Sequence, residues 1–421
     1  MAIAPAPGGL PLLGHLATYA RGPFAFFSRC GNGAGPVVHC RLAGHGYLLN
    51  EPEDIRHVLV RNQAGYVKAR RLTGPRARYP PPRSLLTSAG AEHRRKRIPI
   101  QRIFGRSLAE RIEERSTVNA QALAASWRPG DEVQLPAAMR ALAQRNILEL
   151  LFGAGTTGLD ALSAASAARR RSIERVLFSV FPLPEYVPGP ASLGYVRATR
   201  RLRATVAAAI AARRAHPGDD IVSQLIELDL SDAEVCAEVL TFSLTGYDSV
   251  SESLAWTLLL LAERPAVADA VSECDEDYAT AVVRESLRLY PPTWLFARIC
   301  LAGDSLPSGA HLPAGGKVYL CPWLVHRNPR LWPEPERFDP SRFESGAREE
   351  ERPRYSYFPF GGGSHVCIAE TLAMAQVVTA VRTIAAAHHL APAGPAAAPA
   401  GGLTLSPDPR LRVRVEPRVP G

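Results

Sequence analysis

Phe358-Pro-Phe-Gly-Gly-Gly-Ser-His-Val-Cys-Ile-Ala-Glu370 is the stretch that decides how this chain is read. A single cysteine, Cys367, follows three consecutive glycines. Apolar residues at helix spacing, Leu372, Met374, Val377 and Val378, begin directly after it. A cysteine just ahead of a helix faces unpaired backbone N–H groups and the positive end of the helix dipole. Both favour thiolate over thiol. A thiolate there can ligate a metal or act as a nucleophile; a buried structural cysteine behind a flexible loop is the plainer alternative. Gly361, Gly362 and Gly363 permit positive φ and let backbone approach a flat partner closely. Phe360 adds an aromatic face, and His365 a group that can pair with an anion.

The spacing F-G-x-G-x-H-x-C resembles the haem-ligand loop of the cytochrome P450 superfamily. The resemblance implies that Cys367 is the axial iron ligand, whose electron donation favours O–O cleavage. Phe360, Gly361 and His365 would then border the haem. Ala369 departs from the pattern, standing where the family usually has glycine.

Upstream, Arg284-Glu-Ser-Leu-Arg-Leu-Tyr-Pro-Pro292 sets Glu285 and Arg288 at i,i+3, able to pair on one helix face before the prolines end the helix. This resembles the family's E-x-x-R, and Pro335-Glu-Arg-Phe338 resembles the segment that supplies its third partner, Arg337. By that likeness, two arginines and one carboxylate hold the cysteine loop in place. Arg298, shortly after the prolines, resembles a propionate-binding arginine. Thr293, Trp294 and Leu295 would line the pocket above the haem, with plain core packing the alternative for Trp294. His93 and Arg97, at i,i+4 in a basic run, share one helix face. They match the family's H-x-x-x-R, which implies charge-assisted hydrogen bonds to the two propionates; an exposed basic helix is the alternative.

Ser231-Asp-Ala-Glu234 is a capping box opening a helical pattern that runs to about Glu263, on the order of 50 Å. Inside it lies Leu244-Thr-Gly-Tyr-Asp-Ser-Val250. A glycine and an acid-hydroxyl pair in mid-helix are locally unfavourable, and function is expected where a good helix breaks its own rules. The segment resembles the family's oxygen-binding helix. Gly246 would leave room for dioxygen, and Asp248 and Ser249 would support proton delivery. Two residues depart from the family: Ser249 replaces threonine and loses the methyl that fixes its rotamer, and Thr245 replaces a small residue. Leu244, Thr245, Leu403 and Thr404 fall where the family contacts substrate. Gly153-Ala-Gly-Thr-Thr-Gly158 is a literal G-x-G-x-x-G, but the segment before it reads as helix, so no dinucleotide site is expected.

The bulk numbers narrow the classes further. The 421 residues are 46% hydrophobic and 21% charged, enough for a large core. The net charge of +9 is nearly all arginine, since Lys68, Lys96 and Lys317 are the lysines. No phosphate-loop motif and no basic-aromatic interleaving point to nucleotides or nucleic acid. Seven cysteines without C-x-x-C spacing argue for a reducing cytoplasm and against covalent haem attachment. No secretion signal is apparent, and the apolar runs are too short to span a bilayer.

The expected fold is therefore mainly α with a small β-rich lobe, a cytochrome P450 fold with a long central helix over a haem. It forms one domain over 1–421, opened by a Pro/Gly-rich segment at 1–22. The resemblance implies a haem-thiolate monooxygenase carrying haem b (iron protoporphyrin IX). It would insert one oxygen atom from O2 into a hydrophobic small molecule in bacterial natural-product biosynthesis. Electrons would come from a separate ferredoxin and ferredoxin reductase, and the protein would be a cytoplasmic monomer without a membrane anchor. Oxidative coupling, rearrangement or peroxide-driven oxidation, and a non-catalytic haem carrier or sensor, are the alternatives.

Overall fold

The computed structural model describes residues 3–418 apart from positions 12, 32–34, 43, 69–82, 154–189, 274, 346–351 and 395–397. Its helices gather round one long central helix, Asp232–Ala262. The helix starts at the expected capping box: the Ser231 hydroxyl accepts from the Glu234 N–H, and the Glu234 carboxylate accepts from the Ser231 N–H at 2.9 Å. From Val235 onward nearly every residue is buried, as an all-round apolar helix must be. It packs on Leu135–Phe152, Pro190–Ala215, Glu276–Leu289 and Glu370–Ala387, and the last lies along Arg106–Ala125. These helices enclose the largest apolar core.

The second lobe is a six-stranded sheet in the order Ile3–Pro5, Val37–Arg41, His45–Leu49, Lys317–Leu320, Phe296–Cys300, Tyr66–Lys68. Its last pair is antiparallel and sets Lys68 opposite Arg298. A short hairpin, Ala400–Gly401 with Leu405–Ser406, is held by two buried indoles: Trp256 Nε1 of the central helix donates to Leu405 O, and Trp294 Nε1, from the segment before Phe296–Cys300, to Gly402 O, both at 3.0 Å. The architecture is mainly α with a small β-rich lobe, as expected.

Residues 52–61 divide into a helical turn, Pro52–Arg56, and a wider π turn, His57–Arg61. Tyr66–Lys68 is an edge strand, and 84–88 form a turn closed by Ser84 and Thr87. The G-x-G-x-x-G segment beyond Gly153 lies outside the described residues.

The turn at 84–88 is fastened to the central helix by a buried carboxylate. Glu238, fully buried, accepts the Leu85 N–H at 2.7 Å. Nearby, buried Lys96 bridges Glu234 at 3.2 Å and Glu92 at 3.5 Å. Burial raises the Glu238 pKa to about 7; the Leu85 N–H and Lys96 oppose the rise, while Glu234 and Glu92 add to it. The folded protein thus keeps a proton that the unfolded chain releases around 4.5, the ordinary glutamate value. The resulting stability is whole below the unfolded value and gone above about 7, so stability falls as pH rises through that window. Glu238→Gln keeps an acceptor for Leu85 and carries no charge. In urea unfolding, the variant should match the parent at pH 5 and exceed it at pH 8 by on the order of 1–3 kcal/mol.

Candidate active site

The cysteine loop is shaped by its own backbone. The Gly361 N–H donates to Phe358 O and the Cys367 N–H to Phe360 O, both at 3.0 Å. Gly361 and Gly363 lie in the left-handed region, at φ 76° and 66°. A Cβ on Gly363 would fall 1.9 Å from the Leu59 carbonyl oxygen, whereas one on Gly361 would meet nothing within 4 Å. Gly363 is therefore needed for close approach, and Gly361 borders open space. Ala369 sits at φ −102°, ψ 22°, so the methyl at the family's glycine position carries no backbone strain.

Cys367 is exposed, yet protein crowds it enough that desolvation dominates its titration. A thiol at the floor of a cleft has both properties. Burial pushes its pKa up; the Ala369 N–H aimed at the sulfur lowers it, Glu370 raises it and Arg97 lowers it. The thiolate preference expected from the helix terminus is thus outweighed by burial. A thiolate here needs a further positive partner, which a bound metal ion supplies.

Around the cleft stands a basic cluster. His93 and Arg97 do share one face of Gly90–Ile103. Arg97 Nη1 donates to Val366 O at 2.7 Å, next to the cysteine, and the His93 ring lies 4.1 Å from that of His365. Arg298 donates to Ala297 O at 3.1 Å and, among the described residues, pairs with no carboxylate. Buried His365 Nδ1 meets no hydrogen-bond partner among the described residues. Burial first, then the neighbouring positive charges, lower His93 to about 4, His365 to about 3 and Lys68 to about 7. Burial alone lowers Arg298 to about 10. A buried dianion would reverse these shifts. Lys68 was not anticipated: a lone lysine at a strand end carries no spacing signal, and it joins the cluster only through its register with Arg298.

On the central helix, burial is interrupted at one turn past its first residues: Thr245 is exposed, and Gly246 and Ser249 are half-buried. Thr245 and Ser249 therefore face an opening. Their hydroxyls are turned back onto the helix, Thr245 to Thr241 O at 2.9 Å and Ser249 to Thr245 O at 3.3 Å. Asp248 is buried beside them. Gly246 packs closely: a Cβ there would meet Ile147 Cγ1 at 2.8 Å, so the missing side chain serves the packing of the central helix on Leu135–Phe152.

Behind the cysteine loop, Glu285 and Arg288 form a fully buried bidentate pair at 2.7 and 2.8 Å. Arg288 also donates to the carbonyls of His326, Pro335 and Arg337. The expected third partner needs correction. The Arg337 guanidinium is exposed and pairs with Glu334 at 3.1 Å, so Arg337 contributes only its carbonyl. The guanidinium near Glu285 belongs to Arg342, 3.6 Å from Oε1. The sequence holds two Arg-Phe pairs in this region. The second follows Asp339-Pro340, where the Asp339 side chain caps a 3-10 turn and aims Arg342 inward.

The family model for cytochrome P450 matches residues 5–385. The chain belongs to the cytochrome P450 family. Cyclooctat-9-en-7-ol 5-monooxygenase of Streptomyces melanosporofaciens is 33% identical to this P450 over 92% of its chain and 89% of the relative. Cyclooctatin synthase of the same organism is 30% identical over 98% and 95%. Among solved structures, the retinoic-acid-bound cyanobacterial CYP120A1 superposes with a TM-score of 0.85, covering 99% of this chain and 100% of that one at 23% identity, a likeness of fold. The protein is a cytochrome P450 monooxygenase, which works with a thiolate-ligated haem, a small-molecule substrate and redox partners.

The residues of this P450 fit such a group: an accessible thiol in a crowded cleft, open space at Gly361, the unpartnered His365 nitrogen and a basic cluster. The expected pocket residues divide. Thr245 and Thr293 are exposed, and Leu295 and Leu403 are half-buried, while Leu244 and Thr404 are buried. Trp294 is corrected to a core residue, 1% exposed and edge-on to Phe24 at 5.3 Å. Among the described residues no helix is long and apolar enough to cross a membrane.

Proposed function

We propose that this P450 inserts one oxygen atom from O2 into a hydrophobic small molecule of bacterial secondary metabolism. An unsaturated, alcohol-bearing hydrocarbon, such as the one that names its Streptomyces relative, is the proposed substrate class. The observation that carries the site assignment is Cys367, an accessible thiol beside a cluster of buried basic side chains. Cys367 ligates the iron of a non-covalently held haem b, and Phe360 and Gly361 border the ring. His93, Arg97, Arg298, His365 and Lys68 hold its propionates by charge-assisted hydrogen bonds. When bound, the haem supplies the reductive activation of dioxygen.

Other residues orient and protonate. Thr245, Thr293, Leu295 and Leu403 line the substrate side. Asp248 and Ser249 hold a proton at their side-chain oxygens and pass it toward the cleft. A single domain working in the cytoplasm as a monomer, with a separate ferredoxin and its reductase as donors, completes the reading.

The test supplies purified protein with ferredoxin, its reductase, ¹⁸O2 and cyclooctat-9-en-7-ol. The reduced, carbon-monoxide-bound spectrum and the pyridine haemochrome are recorded first. A red-shifted Soret band, a haem b haemochrome and a product carrying one ¹⁸O atom are expected. Dehydrogenated or coupled product without the label would favour the non-insertion alternative, to which the Thr245 and Ser249 departures point. Absence of the red-shifted band would overturn the thiolate assignment.

A further inference from the structure

His326 lies outside the residues assigned so far, yet it joins the buried ion pair to the cysteine loop. Its ring is wholly buried. Nε2 accepts the Phe358 N–H at 2.9 Å. On its other side the ring faces the carbonyls of Leu287 and Arg288, although Nδ1 completes no full hydrogen bond among the described residues. Those carbonyls end the helix Glu276–Leu289, where backbone acceptors have no helical donor. The main chain of His326 is held as well, since its carbonyl accepts Arg288 Nη1 at 2.8 Å. The ring is stacked on Tyr357 at 5.2 Å and lies edge-on to Phe358 at 5.4 Å.

Only one protonation state satisfies this surrounding. A backbone N–H pointing at Nε2 demands a lone pair there, and the carbonyls facing the other edge favour the proton on Nδ1. A charged ring would lose the Phe358 bond and sit beside the Arg288 and Arg327 charges; burial and those charges hold its pKa well below the usual histidine range. From Phe358 the connection to the cysteine is short. Phe358 O takes the Gly361 N–H, and Phe360 O takes the Cys367 N–H.

We propose that His326 is a positioning residue for the haem-ligating loop. As the neutral Nδ1–H tautomer, it transmits the Glu285–Arg288 anchor through the Phe358 amide to the backbone that sets Cys367. The proposal rests on the haem-thiolate reading above. It differs from simple space-filling in requiring an acceptor at the Nε2 position.

Two variants separate these possibilities. His326→Gln places a carboxamide oxygen near Nε2, and His326→Phe keeps the ring without an acceptor. Each haem-loaded protein is reduced, saturated with carbon monoxide and followed by absorbance at fixed temperature. The thiolate-type band should decay to the thiolate-lost form roughly tenfold faster in His326→Phe than in the parent, with His326→Gln near the parent. Equal lifetimes in all three, or equal loss in both variants, would overturn the proposal. Should His326→Phe fail to take up haem, the parent decides alone. The ¹⁵N spectrum of the diamagnetic carbon monoxide form should show His326 protonated at Nδ1 and bare at Nε2, and an Nε2–H tautomer would overturn it. A parent without any thiolate band is a different result, the failure of the haem-thiolate reading.

Discussion

Arg288→Ala is expected to leave a protein that unfolds in urea with a loss of about 3–5 kcal/mol and retains little haem. Glu285 is fully buried and its pKa is already raised by desolvation. Removing Arg288 takes away its bidentate partner and leaves a buried carboxylate with the Asp339 N–H at 2.9 Å and the more distant Arg342 guanidinium. Breaking a buried pair from one side costs far more than the pair contributes net, because the orphaned charge stays desolvated. Arg288 also gathers the carbonyls of His326, Pro335 and Arg337, so the segment behind the cysteine loop loses its common donor. The matched control is Arg337→Ala. Its guanidinium is 63% exposed and paired with an equally exposed Glu334, so its removal should cost within about 0.5 kcal/mol. Urea unfolding and the haem-to-protein absorbance ratio read both. A large loss at Arg337 would restore the arrangement first read from the sequence.

That contrast shows where the sequence was legible. Spacing along one element carries its own geometry, so Glu285 with Arg288 and His93 with Arg97 could be placed on shared helix faces before any fold was known. The capping box at Ser231 was legible for the same reason. What escaped depends on how separate elements meet. Lys68 enters the basic cluster through strand pairing with Arg298, and register between distant strands leaves no mark in local sequence. Gly246 reads as room for dioxygen through its resemblance to the family's oxygen-binding helix. The contact that requires it, Ile147, lies on another helix. Arg337 and Arg342 differ by which one a capped turn aims inward, and His326 by a single backbone amide far along the chain. The titration of Cys367 likewise reflects burial supplied by the whole fold rather than by the adjacent helix terminus.

Asp248→Asn is expected to slow product formation by roughly 10²–10⁴-fold while leaving substrate binding close to the parent, the range typical of a lost proton-transfer group. Asp248 is buried one residue from Ser249, whose side chain borders the opening. Asparagine keeps the shape and one acceptor oxygen but cannot take up and release a proton. A positioning role alone would be preserved by that substitution, so a variant with near-parental turnover and an unchanged solvent isotope effect would sink the assignment. Ser249 tests the same route from the other side. Its hydroxyl reaches the Thr245 carbonyl at 3.3 Å, beyond the usual hydroxyl range, and has no γ-methyl to hold the rotamer. Ser249→Ala should lower the product formed per O2 consumed, and Ser249→Thr should raise it above the parent. The measurement is oxygen uptake against product under steady turnover. If threonine gave no gain, the serine at this position would be a fitted choice for this enzyme's substrate, and the looser hydroxyl would be part of its chemistry.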